Sequence, residues 1–452
     1  MQDFTKGSVL KQLTMFSIPM LLANFFQAIY SIIAGIWVGR LIGHEAFAAV
    51  STTMPVVFLV VSAIIGLAVA TNILVGQAFG ANDNKYLAKV LTNSFISTGA
   101  LCLMLSILGM IFTRQLLRLV NVPENIENLA YIFLFISFAG MPLQFIYNWF
   151  SGILRGLGDA KTPLYLIIVS TVLNIVLAPL FILGLGPLPK LGLAGAAISG
   201  IVATIIMLFI AYYFVLQKHV LLNITKWDYA LDYSIIKKIF VIGIPASLQM
   251  VITSLSAILV VSLVNSFGVN TTAAYGIGVQ LNQLTFMPSM AIGMAISSIA
   301  AQNIGAGLYT RVRETTRLSV LFSVGFALFF FVIIFSFPKT IASMFTTDAE
   351  VLAKTEYFLR IVSFNYFAFS IMFALQGVVR AAGDTMYMLI FSIAGIIITQ
   401  YPLAYYLSQH TPLKENGIWI SMAISPLVGL SLNYWYYKSG RWQKQIISNP
   451  SR

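Results

Sequence analysis

Charge is what this chain has least of. Only 9% of its 452 residues are Asp, Glu, Lys or Arg, and 59% are apolar, whereas a soluble domain is about a quarter charged. A water-soluble protein of this size is excluded, because too little polar surface exists to wet it. Acid is scarcer still. The 14 acidic residues are Asp3, Glu45, Asp83, Glu124, Glu127, Asp159, Asp228, Asp232, Glu314, Asp348, Glu350, Glu356, Asp384 and Glu415. None falls in the middle of an apolar run, and His44, His219 and His410 also lie at run ends. No acid or His cluster inside the membrane is therefore expected, and no metal site is assigned. The single cysteine, Cys102, excludes an internal disulfide and reads as a small core residue. Short alternating segments are absent too, which argues against a strand barrel.

What the chain has instead is long apolar runs. They are expected to span near 14–38, 46–79, 91–113, 129–154, 163–185, 191–216, 240–266, 271–303, 316–337, 353–379, 386–408 and 416–437. Each meets the roughly 20 residues that cross a bilayer as helix. The fold class is all-α and integral to the membrane, with about twelve transmembrane helices. Pro19, Pro55, Pro142, Pro179, Pro245 and Pro288 fall inside runs, which a bundle tolerates because neighbouring helices satisfy the freed carbonyls. With the N-terminus inside, the loops holding Lys85, Lys89, Lys161, Lys237, Lys238, Arg311, Arg313 and Arg317 all fall on the cytoplasmic side. The net charge of +12 thus reads as loop charge, and nucleic acid is not an expected partner. A multi-pass cell-membrane protein with both termini cytoplasmic is expected. Met1 to Lys11 carries no cleavable apolar region, and Trp435-Tyr436-Tyr437-Lys438 reads as an interfacial anchor.

The chain also repeats itself. Gln77-Ala78-Phe79-Gly80-Ala81 matches Gln302-Asn303-Ile304-Gly305-Ala306, and Arg155-Gly156-Leu157-Gly158-Asp159 matches Arg380-Ala381-Ala382-Gly383-Asp384. The offsets agree, since 302 − 77 and 380 − 155 are both 225. Ile18-Pro19 and Ile244-Pro245 correspond with a one-residue slip. Two six-helix bundles are expected, 1–216 and 239–452, joined by a cytoplasmic linker at 217–238 that carries a surface amphipathic helix. Six spans return the chain to its starting side, so the repeats are parallel, related by a pseudo-two-fold axis along the membrane normal. Arg155, Asp159, Arg380 and Asp384 lie at helix ends, where caps are the first reading and a gate of ion pairs the second.

At these residues the chain resembles the multidrug and toxic compound extrusion (MATE) family of exporters, within the wider MOP superfamily. The resemblance rests on Pro19, Val38-Gly39-Arg40, Gly76-Gln77-Ala78-Phe79-Gly80-Ala81, Gly152-Ile153-Leu154-Arg155-Gly156-Leu157-Gly158-Asp159, Asn174-Ile175-Val176-Leu177 with Pro179, and Ala301-Gln302-Asn303-Ile304-Gly305-Ala306-Gly307. It implies an antiporter that exports amphipathic, often cationic, organic compounds on a Na+ or H+ gradient, with no other cofactor. Two slots depart from the family pattern. Ala34 and Ala178 stand where members commonly carry Asp, and Thr253 stands roughly where some carry Glu.

Neutral polar residues must then line any cavity. The candidates are Asn24, Gln27, Tyr30, Gln144, Asn148 and Asn174 in the first half, and Gln249, Thr253, Gln280, Gln283, Asn365, Tyr366 and Gln400 in the second. Singly, each is more simply read as interhelical glue. As a set they read as cavity lining, since large amides are costly to face towards lipid. Asn174 is the strongest single candidate, because its place in the family pattern neighbours a cation site. A flippase for a lipid-linked saccharide is the alternative function, and an integral membrane enzyme is a third. The partners expected are small organic cations or amphiphiles and membrane lipid, and the chain is expected to be a monomer.

Overall fold

The structure, a computed structural model, describes residues 2–185, 189–218 and 230–446; it is helical throughout, with no strand among those residues. The expected surface helix of the linker lies largely outside them. The helices are α1 (Val9–Leu41), α2 (His44–Gly80), α3 (Asn84–Ile111), α4 (Thr113–Leu119), α5 (Glu124–Gly156), α6 (Lys161–Leu183) and α7 (Leu193–Lys218). After the linker come α8 (Tyr233–Asn265), α9 (Val269–Gly305), α10 (Tyr309–Ser336), α11 (Pro338–Ser343), α12 (Ala349–Val362), α13 (Asn365–Ala381), α14 (Thr385–Ser392), α15 (Tyr401–Gln409) and α16 (Glu415–Lys438). Among the described residues eleven helical stretches are long and apolar enough to cross a membrane, or twelve when α12 and α13 count as one bent span.

Two spans depart from simple helices. The expected span 353–379 bends by 45° between α12 and α13. There the Ser363 hydroxyl turns back to the Arg360 carbonyl at 3.2 Å, and the Asn365 amide leaves its own helix to donate to the Met422 carbonyl at 2.7 Å. Side chains that compete for backbone groups in this way bend helices. The expected span 386–408 winds as a π-helix over Ile393–Gln400, between α14 and α15. Pro402 follows, has no N–H to give, and crowds the preceding turn, so the ladder widens ahead of it.

The chain packs as two compact units. Unit 1 contains Leu22–Ser247, and unit 2 contains Asp3–Leu21 with Leu248–Arg452. This differs from a division at 216 and 239. The first thirteen residues of α1 pack with unit 2 and those of α8 before Leu248 with unit 1, each change coming just after a proline, Pro19 or Pro245.

In unit 1 the repeated glycines set the packing. A Cβ at Gly152 would meet the Ala68 carbonyl at 2.8 Å, and one at Gly156 the Asn72 carbonyl at 2.8 Å. α5 thus lies backbone to backbone on α2 through a Gly-x-x-x-Gly pair, the usual device of tight membrane packing. Unit 2 repeats the close approach with Ala381 in place of the second glycine: a Cβ at Gly377 would meet the Gly293 carbonyl at 2.7 Å. The turn glycines have a separate task, with Gly158 at φ 81° and Gly383 at φ 77°.

Both ends of the chain are tied into unit 2. The Phe4 amide donates to Gln302 Oε1 at 2.9 Å, and Arg311 donates to the carbonyls of Phe4 and Gly7, each at 2.9 Å. At the other end Trp442 is 1% exposed and stacks on Tyr437.

Candidate functional site

Polar side chains from four helices of unit 1 meet around one cavity of about 80 Å³. That is room for a few ordered waters. α1 supplies Gln27 and Tyr30, α5 supplies Gln144 and Tyr147, α6 supplies Ile167, Ser170, Thr171 and Asn174, and α7 supplies Gly200, Thr204 and Met207. The spacings are helical: positions 27 and 30 on α1 and 144 and 147 on α5 lie three apart, Ser170 and Thr171 each lie three or four from Ile167 and Asn174 on α6, and 200, 204 and 207 follow at four and three on α7. Each helix therefore turns one face to the same space.

The lining is held loosely. Asn174 is 4% exposed and its amide reaches Ser199 Oγ only at 3.4 Å. The Thr204 hydroxyl returns to the Gly200 carbonyl of its own helix at 2.8 Å. Gly200 keeps the space open, since a Cβ there would lie 3.6 Å from both Asn174 Nδ2 and the Tyr30 hydroxyl. No acidic or basic side chain is among the lining residues.

Of the first-half candidates, Gln27, Tyr30, Gln144 and Asn174 are brought together here; Asn24 and Asn148 are not in the lining, and Asn148 donates to the Gln144 carbonyl at 2.8 Å. Tyr147, Ser170, Thr171 and Thr204 are the lining residues that polarity alone missed. For Tyr147, Ser170 and Thr171 the signal was the helical spacing from Gln144 and Asn174; Thr204, on α7, gave none.

The second-half candidates serve differently. Gln249 donates to Ser392 Oγ at 3.1 Å, Asn365 holds the Met422 carbonyl, and the Tyr366 hydroxyl donates to Asn282 Oδ1 at 2.9 Å. These bonds are interhelical glue inside unit 2. Thr253, Gln280 and Gln283 are exposed and Gln400 is half-buried.

The helix-end residues divide the same way. Asp159 accepts from the Thr162 amide at 2.9 Å and its hydroxyl at 2.7 Å, which caps α6. Its counterpart Asp384 instead accepts from the Tyr436 hydroxyl and pairs with Lys444 at 2.7 Å. Arg155 donates to Ser151 Oγ at 2.9 Å. Among the described residues neither Arg155 nor Arg380 makes an ion pair.

No group of three or more His, Cys, Asp or Glu able to hold a metal ion occurs among the described residues. The cavity's chemistry is that of reversible binding: amide and hydroxyl donors and acceptors on a frame of membrane-crossing helices.

Comparison with known proteins places this frame. The chain matches the MatE family over residues 19–180 and again over 245–406. It is 36% identical over 448 residues to "Probable multidrug resistance protein YoeA" of Bacillus subtilis, covering 98% of this chain and 97% of that protein. It is 26% identical over 394 residues to a protein named "FAD transporter" of Shewanella oneidensis, covering 87% of each. Its fold is that of the crystal structure of MATE in the bent conformation, with a TM-score of 0.90 and 24% identity over 97% of this chain and 96% of the other.

Proposed function

The chain belongs to the MatE family of membrane transporters, and on that premise we propose that it is a secondary transporter that exports amphipathic organic compounds through alternating exposure of a polar cavity. The observation that carries this reading is the unit 1 cavity, built at helical spacing from α1, α5, α6 and α7. An amide-lined space inside a transmembrane bundle is costly unless it is used. Binding without catalysis fits its residues, because no lining group is a nucleophile with a base beside it.

The coupling ion in this reading is Na+ or H+. In the same reading both termini lie on the cytoplasmic side, which the basic loop residues support, and the chain works as a monomer. The relatives' names span a drug-resistance protein and a FAD transporter, so the fold leaves the cargo to the cavity.

The test is transport in proteoliposomes with sodium and pH gradients imposed separately and an amphipathic dye as cargo. Gradient-dependent accumulation is expected, with Asn174→Ala reduced about tenfold or more, the equivalent of roughly 1.4 kcal/mol. Accumulation that ignores both gradients overturns the coupling, and full activity of Asn174→Ala removes the cavity from the route.

A further inference from the structure

The unit 1 cavity also carries a charge preference. We propose that it accepts the polar end of a neutral or anionic amphiphile and discriminates against organic cations; the inference rests on the exporter reading only for the direction in which such a cargo moves.

Three observations support it. First, the lining supplies amides from Gln27, Gln144 and Asn174 and hydroxyls from Tyr30, Tyr147 and Thr204, but no carboxylate. Among the described residues the side chains of Gln27, Tyr30 and Gln144 make no hydrogen bond, so their donors are free for a ligand. Donors of this kind serve a carbonyl, a sulfonyl or a carboxylate equally well, and charge strengthens the bond for the last.

Second, the ionised residue that follows the lining pair along α5 is a cation. Tyr147, Ser151 and Arg155 follow at four-residue intervals, so they stack along one face. The Arg155 guanidinium donates to Ser151, and its Nε is buried with no hydrogen-bond partner. With no ion pair to neutralise it, its field reaches the cavity end of the stack through a low-dielectric interior.

Third, the helix positions from which an acid could answer that field hold methyl groups. Ala34 is one turn from Tyr30, and Ala178 is one turn from Asn174 and 3% exposed. A desolvated organic cation would thus meet a like charge and no counter-charge, a combination that disfavours the charged form.

The test is equilibrium binding to the purified protein in detergent, read by fluorescence polarisation. The probes are one boron-dipyrromethene fluorophore, itself uncharged, in three forms: with a trimethylammonium group, with no charged group and with a sulfonate. The neutral and anionic forms are expected to bind about tenfold tighter than the cation. Asn174→Asp, a change of charge at nearly constant volume, is expected to reverse that order; Ala34→Asp is the second variant should the first fail to purify. Cation binding equal to or tighter than that of the other forms, no binding of any form, or an order unmoved by both variants would each overturn the proposal. Binding needs no gradient, so a protein that shows the expected order yet moves no dye in vesicles sinks the exporter reading and leaves this one standing.

Discussion

Units 1 and 2 share one helix arrangement and fill it differently. In both, the fourth span lies backbone to backbone on the second, through Gly152 and Gly377 at the 225-residue offset. Around that shared axis unit 1 stays open and polar, with Gln144 and Tyr147 facing a cavity. At the same offset unit 2 carries Phe369 and Met372. Phe369 packs on Phe286 with ring centroids 4.6 Å apart, and the Met372 sulfur lies against Gly429 on α16. Nearby, Trp419 stacks on Tyr275 at 5.8 Å and meets Phe358 edge-on at 4.8 Å. One copy of the repeat leaves a polar cavity at these positions, and the other fills them with apolar packing.

That contrast can be broken by mutation, beginning where the loss should be largest. Trp419→Ala, from a fully buried position in unit 2, should cost about 3–5 kcal/mol, the range for removing a buried aromatic. Thermal unfolding followed by tryptophan fluorescence or light scattering would show it. A small change there would mean that unit 2 is not the filled half. Next come Gly152→Val and Gly377→Val. If the axis is shared, both should destabilise to a similar degree, about 1–3 kcal/mol or more for overpacking, seen as lost monodispersity on size-exclusion. Unequal outcomes would place the shared axis elsewhere.

Smaller effects separate the two kinds of polar group. Tyr366→Phe strands Asn282 in unit 2 and should cost about 1–3 kcal/mol. Tyr30→Phe in unit 1 should leave the melting temperature almost unmoved and weaken cargo binding, because the Tyr30 hydroxyl faces the cavity. The smallest is Gly200→Ala. A Cβ fits there in ordinary contact at 3.6 Å, and Ala in a helix interior is favoured over Gly by roughly 0.5–1 kcal/mol. The variant should melt slightly higher and transport less. Unchanged transport would mean that this corner of the cavity is not used.

How far the sequence alone reaches follows from the same physics. The spans were legible because lipid demands long apolar helices, and the repeat because its glycines and aspartates keep their spacing. The π segment at Ile393–Gln400 was not, although Pro402 marks its edge, since other prolines such as Pro142 and Pro55 sit in helices without widening them. In the cavity, Gln27, Tyr30, Gln144 and Asn174 stood out because large polar groups are conspicuous among apolar neighbours. Thr204 did not, because a threonine hydroxyl can return to its own helix and carries no demand for a partner. In the second half, Gln249, Asn365 and Tyr366 were as polar but already had partners in Ser392, the Met422 carbonyl and Asn282. Polarity marks a residue that needs something, and only the packed structure shows whether a neighbour already provides it.

The stretch after α16 has a practical meaning for work on this protein. Trp442 is buried among Tyr309 and Tyr437, Lys444 holds Asp384, and Gln445 donates to the Gly305 carbonyl at 3.1 Å. A protease site inserted between Ser439 and Gln445 would be cut only when that seat opens, so cleavage there becomes a gauge of unit 2 alone. Purification tags belong beyond Gln445, where they leave the gauge intact.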